Sequence, residues 1–294
     1  TYSGSPVNRK SHITLVNGIE TSALTIADRG LAYGDGLFET MRVVAGKIPL
    51  LRLHLERFER GVHCLKLGPP KALRREFKKA VEQVLTQLAD NTLTDNALVK
   101  IMVTRGCGGY GYLPPDKAEC TFVCQVFNLP EYPSEYSNKG IQVKIIQHRL
   151  PSHPVLAGIK HLNRLDQVLA SQELNGEQEG LVFDHSDHLI EGLKSNVLVF
   201  EGRQVLTPSL GACGVQGTLR QYLIEHATAL GFEIKVEEID KDRLKSADGV
   251  SMINSIFGLW PVLTIRDSDG GHQKFERHKQ CKIIQQYLSK QLGF

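Results

Sequence analysis

The stretch Leu129–Gly140, with Pro130, Pro133, Ser134, Ser137 and Asn138, interrupts the apolar patterning of a 294-residue chain near its middle. Proline removes a backbone donor and short polar side chains favour turns, so this stretch reads as a connection between two separately folding parts. A chain of this length exceeds one average domain and suits two modest ones, each able to bury its own core. The expected division is a smaller α+β domain over 1–128, a linker over 129–140 and a larger domain over 141–294.

In the first part, Ser11–Asn17 reads as a strand and Gly18 begins a turn. The glycines of Asp-Arg-Gly-Leu-Ala-Tyr-Gly-Asp-Gly fit tight turns that need positive backbone dihedrals. Leu37–Val44 and Lys47–Leu50 pattern as a hairpin across Ala45-Gly46. From Leu51 the apolar residues Leu55, Phe58, Val62 and Leu65 recur at helical spacing, and Gly68-Pro69-Pro70 stops the run. A second helix is expected over Lys71–Ala89, then strands at Leu98–Thr104 and Thr121–Phe127 joined by the glycine-rich loop Arg105–Pro115.

In the second part, Ile141, Val143 and Ile145 alternate as a strand. Leu162, Leu165 and Leu169 predict a helix that stops near Asn175-Gly176. Glu179–Asp184 with His188–Leu193, and Asn196–Phe200 with Gln204–Thr207, pattern as hairpins. Gly214–Arg220 opens a helix that Gly231 ends. A strand over Glu233–Glu238, a short helix over Lys241–Ala247 and a buried strand over Gly249–Ile253 come next. His272–Leu292 is expected to place Phe275, Cys281, Ile284, Tyr287 and Leu288 on a terminal helix.

The bulk numbers exclude several classes. A formal charge of +3, without runs of like charge, gives no footprint for nucleic acid. No eighteen-residue apolar stretch exists to span a membrane. Residues 1–12 are polar and lack the apolar core of a signal peptide. The cysteines at 64, 107, 120, 124, 213 and 281 form no Cys-x-x-Cys pair and no zinc-ligand spacing. Cys120 and Cys124 are expected on one face of a strand, as core. Free thiols suit a reducing cytoplasm, and no metal site is expected.

Lys160 is the leading candidate for chemistry. It follows Leu-Ala-Gly at what reads as a loop-to-helix junction, where an amine can face inward. A lysine that loses hydration gives up its proton more readily, which is what an imine-forming amine requires. Taken alone, a lysine at that position is most often solvated.

Gly-Ile-Lys-His-Leu-Asn-Arg-Leu (158–165), Asp-Arg-Gly-Leu-Ala-Tyr-Gly-Asp-Gly-Leu-Phe-Glu (28–39) and His-Leu-Glu-Arg-Phe (54–58) together resemble the fold-type IV pyridoxal-phosphate enzymes. That group includes branched-chain and D-amino-acid transaminases and aminodeoxychorismate lyases. Lys-His-Leu-Asn-Arg and Arg-Gly-Cys-Gly-Gly-Tyr-Gly-Tyr (105–112) are similar to the lyases in particular, and the likeness runs from about Val16 to Val262.

The resemblance implies an α+β, two-domain fold with pyridoxal 5'-phosphate between the domains, a homodimer, and Lys160 as covalent anchor. It implies that Arg57 holds the cofactor phosphate, which a planar guanidinium fork suits. Thr218 and Leu219 would donate to that phosphate from a helix start, and the Ser255 hydroxyl would stand where transaminases use threonine. Glu191, in Glu-x-x-x-x-Asn, would accept a hydrogen bond from the proton-bearing ring nitrogen and keep the ring protonated. For the substrate carboxylates the candidates are Arg105, Arg164 and Tyr110, with Arg29 and Arg42 also possible. Tyr110 stands where these lyases often have arginine, which leaves that contact open. The implied reaction splits aminodeoxychorismate to 4-aminobenzoate and pyruvate. A transaminase is the nearest rival, although such enzymes usually have tyrosine at position 164, and a non-catalytic binding module of the same fold is the other.

Overall fold

The computed structural model describes residues 11–90, 97–117, 119–267 and 269–294, so most of the polar segment 1–12 lies outside the described residues. The contacts divide these into two units. One takes 11–130 together with Ile159–Asn163, and the other takes Glu131–Gly158 and Arg164–Phe294. The chain therefore returns to the N-terminal unit for the segment that carries Lys160.

The N-terminal unit runs β1 (Ile13–Val16), β2 (Ile19–Glu20), α1 (Arg29–Tyr33), β3 (Gly36–Arg42), α2 (Leu51–Leu65), α3 (Pro70–Asp90), β4 (Ala97–Thr104) and β5 (Thr121–Asn128). Its sheet has the order β2-β1-β5-β4-β3, with every pairing antiparallel. Side chains alternate across a strand, and here one face is closed by helices. Leu15, Met41, Val99, Ile101 and Val126 are all buried, while α2 and α3 meet through Phe58 and Phe77, whose ring centroids lie 4.7 Å apart.

Three details differ from the sequence reading. The expected hairpin across Ala45-Gly46 is a tight turn closed by Val44 and Lys47, without a second strand, because Leu51 already begins α2. Of the three glycines at 30, 34 and 36, only Gly34 has a positive φ, at 63°. Gly36 serves close approach instead, since a Cβ there would stand 2.4 Å from the Val103 carbonyl oxygen. Cys120 precedes β5, and only Cys124 of that pair is buried.

The C-terminal unit runs α4 (Ser134–Asn138), β6 (Ile141–Leu150), α5 (Leu165–Ser171), β7 (Glu179–Asp184), β8 (Leu189–Gly192), β9 (Asn196–Glu201) and β10 (Gln204–Pro208). It continues with α6 (Thr218–His226), β11 (Ile234–Glu237), α7 (Lys241–Ser246), β12 (Gly249–Asn254), β13 (Gly258–Arg266), β14 (His272–Lys274) and α8 (Lys279–Leu292). The strands form one mixed sheet in the order β11-β10-β9-β12-β13-β6-β7-β8, with β14 beside β13. Pairings β10/β11, β13/β6 and β6/β7 are parallel. Its central strands are buried on both faces, as the continuous apolar runs Val197–Phe200 and Leu259–Trp260 require.

The stretch Leu129–Gly140 holds more than a connection. It carries α4, and Tyr132 and Tyr136 set their rings edge-on to Trp260 at 4.7 and 5.2 Å. The helix after Lys160 is shorter than expected, ending at Ser171, and its apolar residues Leu165, Val168 and Leu169 are exposed. Phe275 lies before α8, because His272–Lys274 pair with β13.

Candidate active site

Lys160 is not at a helix start. It sits on an extended segment laid against the free edge of β3, where Phe38 N donates to Lys160 O at 2.9 Å and Leu162 N donates to Gly36 O at 3.0 Å. Asn163 Nδ2 adds a bond to Gly34 O at 3.0 Å. This antiparallel register, with Leu37 opposite His161, puts Lys160 across from Phe38. The half-buried Lys160 side chain places Nζ 4.4 Å from the Phe38 ring centroid. A cation over an aromatic face at that distance is attracted by the ring quadrupole.

The same ring faces a second amine. Lys100 on β4 pairs with Thr40, and its Nζ lies 5.7 Å from the Phe38 centroid. Burial pulls the Lys100 ammonium below its ordinary range.

The opposite face of β3 holds Glu39, next to Phe38 in sequence and turned toward α2. Arg57 on α2 donates from Nε to Glu39 Oε1 at 2.8 Å and from Nη2 to Oε2 at 2.5 Å. His54, one turn earlier, has Nδ1 2.6 Å from Oε2. Glu39 and His54 are each 1% exposed and Arg57 5%. Burial alone would raise the Glu39 carboxyl, but the Arg57 charge and the hydrogen bonds from Arg57 and His54 bring it down to about 2. Burial holds His54 below its ordinary value, against the opposing pull of Glu39, and the Lys160 charge pushes the same way as burial. Glu39 is thus an anion and His54 a neutral ring at pH 7, its Nδ1–H donating to the carboxylate.

Two of the arginines weighed for substrate serve the fold. Arg105 donates from Nε and Nη2 to both oxygens of Asp35 at 2.7 and 3.0 Å, and from Nη1 and Nη2 to the carbonyls of Lys66 and Leu65 at the end of α2. Arg29 shares Asp35 at 3.0 Å and ties the carbonyls of Gly108, Gly111 and Tyr112. Both are buried. Tyr110, by contrast, is 89% exposed at the tip of the loop that Arg29 anchors. Arg42 is half-buried on the Phe38 face of β3.

In the C-terminal unit, Glu191 on β8 is buried and accepts from Val215 N at 2.8 Å. Asn196, at the start of β9, donates from Nδ2 to Val215 O at 2.9 Å. The two side chains thus hold the N–H and the carbonyl of one residue, Val215, and the chain runs from there into α6. Gly158 pairs with the same loop, its N–H donating to Gly214 O at 2.9 Å. Gly217 caps α6 without any side-chain hydrogen bond, and a Cβ there would fall 1.9 Å from Asn196 Oδ1. Thr218 and Leu219 follow as its first, buried turn. A helix start without a side-chain cap presents backbone donors and the positive dipole end, which suits a phosphate. Ser255 is half-buried in the turn after β12, which Asn254 Oδ1 holds by accepting from Ile256 N and Phe257 N at 2.9 Å. Arg164, half-buried, precedes α5.

The structure thus groups Lys160, Phe38, Lys100, Glu39, His54 and Arg57 in one unit, and Glu191, Asn196, Thr218, Leu219 and Ser255 in the other. Sequence reasoning passed over Glu39 and Lys100 as site residues. Glu39 left a signal: strand alternation puts it on the face of Leu37 and Met41, and an acid on an apolar face needs a buried partner.

The model of the amino-transferase class IV family matches residues 36–265. An aminodeoxychorismate lyase of Vibrio harveyi is 31% identical over 84% of this chain and 89% of its own length. A putative branched-chain-amino-acid aminotransferase of Methanocaldococcus jannaschii is 29% identical over 82% of each chain. The crystal structure of 4-amino-4-deoxychorismate lyase from Pseudomonas aeruginosa superposes with a TM-score of 0.86 at 37% identity, covering 96% of this chain and 100% of that one.

Proposed function

Since the chain belongs to the amino-transferase class IV family, a family of pyridoxal-phosphate enzymes, we propose that it cleaves 4-amino-4-deoxychorismate to 4-aminobenzoate and pyruvate. The likeness to the Vibrio and Pseudomonas lyases favours this over amine transfer. The observation that carries the reading is the half-buried Lys160 amine over Phe38, on a segment fixed to β3 by backbone hydrogen bonds. The donor set also fits the cofactor: an amine for its aldehyde, a buried carboxylate for its ring nitrogen, and a helix start without a side-chain cap for its phosphate.

Pyridoxal phosphate, when bound, supplies that aldehyde and a protonated ring that draws electrons from a neighbouring carbon. Lys160 is the covalent anchor. With the cofactor held there, the Lys160 amine would, when not joined to it, take the proton from the substrate ring carbon that bears the amine and return a proton to the departing enolpyruvate. Glu191 keeps the proton at the cofactor ring nitrogen. Arg57, the N–H groups of Thr218 and Leu219, and the Ser255 hydroxyl hold the phosphate. Arg164 and Tyr110 stay as candidates for the substrate carboxylates. Arg105 is left out, because its fork already serves Asp35 and α2.

The protein is also proposed to work as a homodimer in the cytoplasm. Exposed Leu31, Tyr110, Tyr112 and Leu113 in one unit and Leu165, Val168 and Leu169 in the other are apolar surface of the kind that protein interfaces cover. Six free cysteines suit a reducing compartment, and among the described residues no helix is long and apolar enough to cross a membrane. Light scattering of the purified protein tests the dimer.

Incubation with aminodeoxychorismate tests the reaction. Release of 4-aminobenzoate and pyruvate supports the lyase. Amine transfer to a 2-oxo acid without aminobenzoate supports the transaminase instead, and a protein that stays colourless with added cofactor supports neither enzyme.

A further inference from the structure

The buried triad Glu39–His54–Arg57 asks why a guanidinium expected to hold a phosphate is already gripped by a carboxylate. By charge alone Glu39 works against such an anion, since it cancels the Arg57 charge beside it. Its geometry does the reverse. The five N–H donors of a guanidinium lie in one plane, so a carboxylate that takes the Nε and Nη2 edge fixes the direction in which the rest of the fork points. Without that grip a long arginine side chain regains its rotamers, and a buried cation without its counter-ion turns toward water. His54 Nδ1 holds Glu39 Oε2 from a third side, so the carboxylate is itself immobile.

We propose that Glu39 is a positioning residue for cofactor binding, which holds the Arg57 guanidinium in the orientation that receives the phosphate, with His54 as its brace. The proposal rests on the reading in which Arg57 holds that phosphate. It also explains a pattern in the sequence: Leu-Phe-Glu (37–39) and His-Leu-Glu-Arg (54–57) are two halves of one device, although a tight turn and the first turn of α2 separate them. The low proton affinity of Glu39 agrees, because only the ionised carboxylate accepts from all three donors.

Charge and orientation call for opposite results when Glu39 becomes neutral. In Glu39→Gln the amide nitrogen faces N–H donors of Arg57 or His54, so the grip fails while the local charge becomes more positive. If charge dominated, phosphate binding would tighten. If orientation dominates, it weakens.

The test uses the full chain freed of cofactor and titrated with pyridoxal phosphate and with pyridoxal, which lacks the phosphate, reading the absorbance of the lysine-bound chromophore. The preference of one protein for the first over the second isolates phosphate binding from general damage to the fold. The expected result is a preference at least tenfold lower in Glu39→Gln, a similar loss in Arg57→Ala, and no further loss in the double variant. Glu39→Asp keeps the charge but is one methylene short, and it should lose preference as well; it replaces Glu39→Gln if that variant does not fold. An unchanged or raised preference in the Glu39 variants, with Arg57→Ala still impaired, overturns the proposal and leaves the Arg57 reading standing. An unchanged preference in Arg57→Ala removes the Arg57 reading and the proposal with it.

Discussion

Lys160 and Phe38 stand opposite each other in an antiparallel pairing, with the lysine Nζ 4.4 Å from the ring centroid. The backbone fixes where the amine starts, and the ring fixes where it rests. A cation–π contact contributes about 0.5 to 2 kcal/mol depending on desolvation. Phe38→Ala is therefore expected to slow turnover about two- to thirtyfold while leaving the fold intact, as measured by steady-state rates beside far-UV circular dichroism.

Glu191 accepts from Val215 N and is the proposed partner of the cofactor ring nitrogen. Glu191→Gln keeps an acceptor for Val215 and removes only the negative charge. A charge-assisted hydrogen bond contributes about 1.5 to 3 kcal/mol, so turnover should fall roughly 10- to 150-fold. A rate within a factor of two of wild type would remove Glu191 from the mechanism.

Arg105 ties Asp35 to the end of α2 from within the N-terminal unit. Breaking a buried ion pair by removing one partner costs about 3 to 5 kcal/mol, reduced here because Arg29 still faces Asp35. Arg105→Met should lower the denaturant midpoint markedly and leave the KM for substrate unchanged in the folded fraction. A raised KM at unchanged stability would show instead that Arg105 meets the substrate.

Acid should destabilise the protein in two stages. The His54 value is lowered by burial, so its contribution is complete above about pH 6.5 and declines as pH falls below that, because the unfolded ring binds the proton first. Glu39 is lowered from 4.5 to about 2, so its contribution is complete above the unfolded value and declines as pH falls from there through the folded one. The second stage is of order 3 kcal/mol. Urea unfolding at pH 7.5, 5.5 and 3.5 measures the first stage and the onset of the second. Glu39→Gln should start less stable and lose less between pH 5.5 and 3.5; an equal loss would contradict the low Glu39 value.

How much of this was legible follows from the range of the interactions. Helix α2 matches its expected start and end, because Leu51, Leu55, Phe58, Val62 and Leu65 repeat within one element and Gly68-Pro69-Pro70 stops it. The helix after Lys160 was overextended for the complementary reason. Leu165, Val168 and Leu169 have the spacing of a core face, yet they are exposed, and periodicity does not say what an apolar face meets. The strand setting of Lys160 depends on β3, far away in sequence, and no local pattern reports that pairing. The motifs named Arg57 and Glu191 as residues, but not that Arg57 grips Glu39 or that Glu191 and Asn196 both hold the backbone of Val215. Tertiary partners decide those points.

The most direct test of the central claim is the mass of the peptide containing residue 160 after borohydride reduction of the protein with pyridoxal phosphate. The account expects the phosphopyridoxyl group on Lys160, one per chain. Finding Lys160 unmodified, or the group on Lys100 across the Phe38 ring, would contradict it.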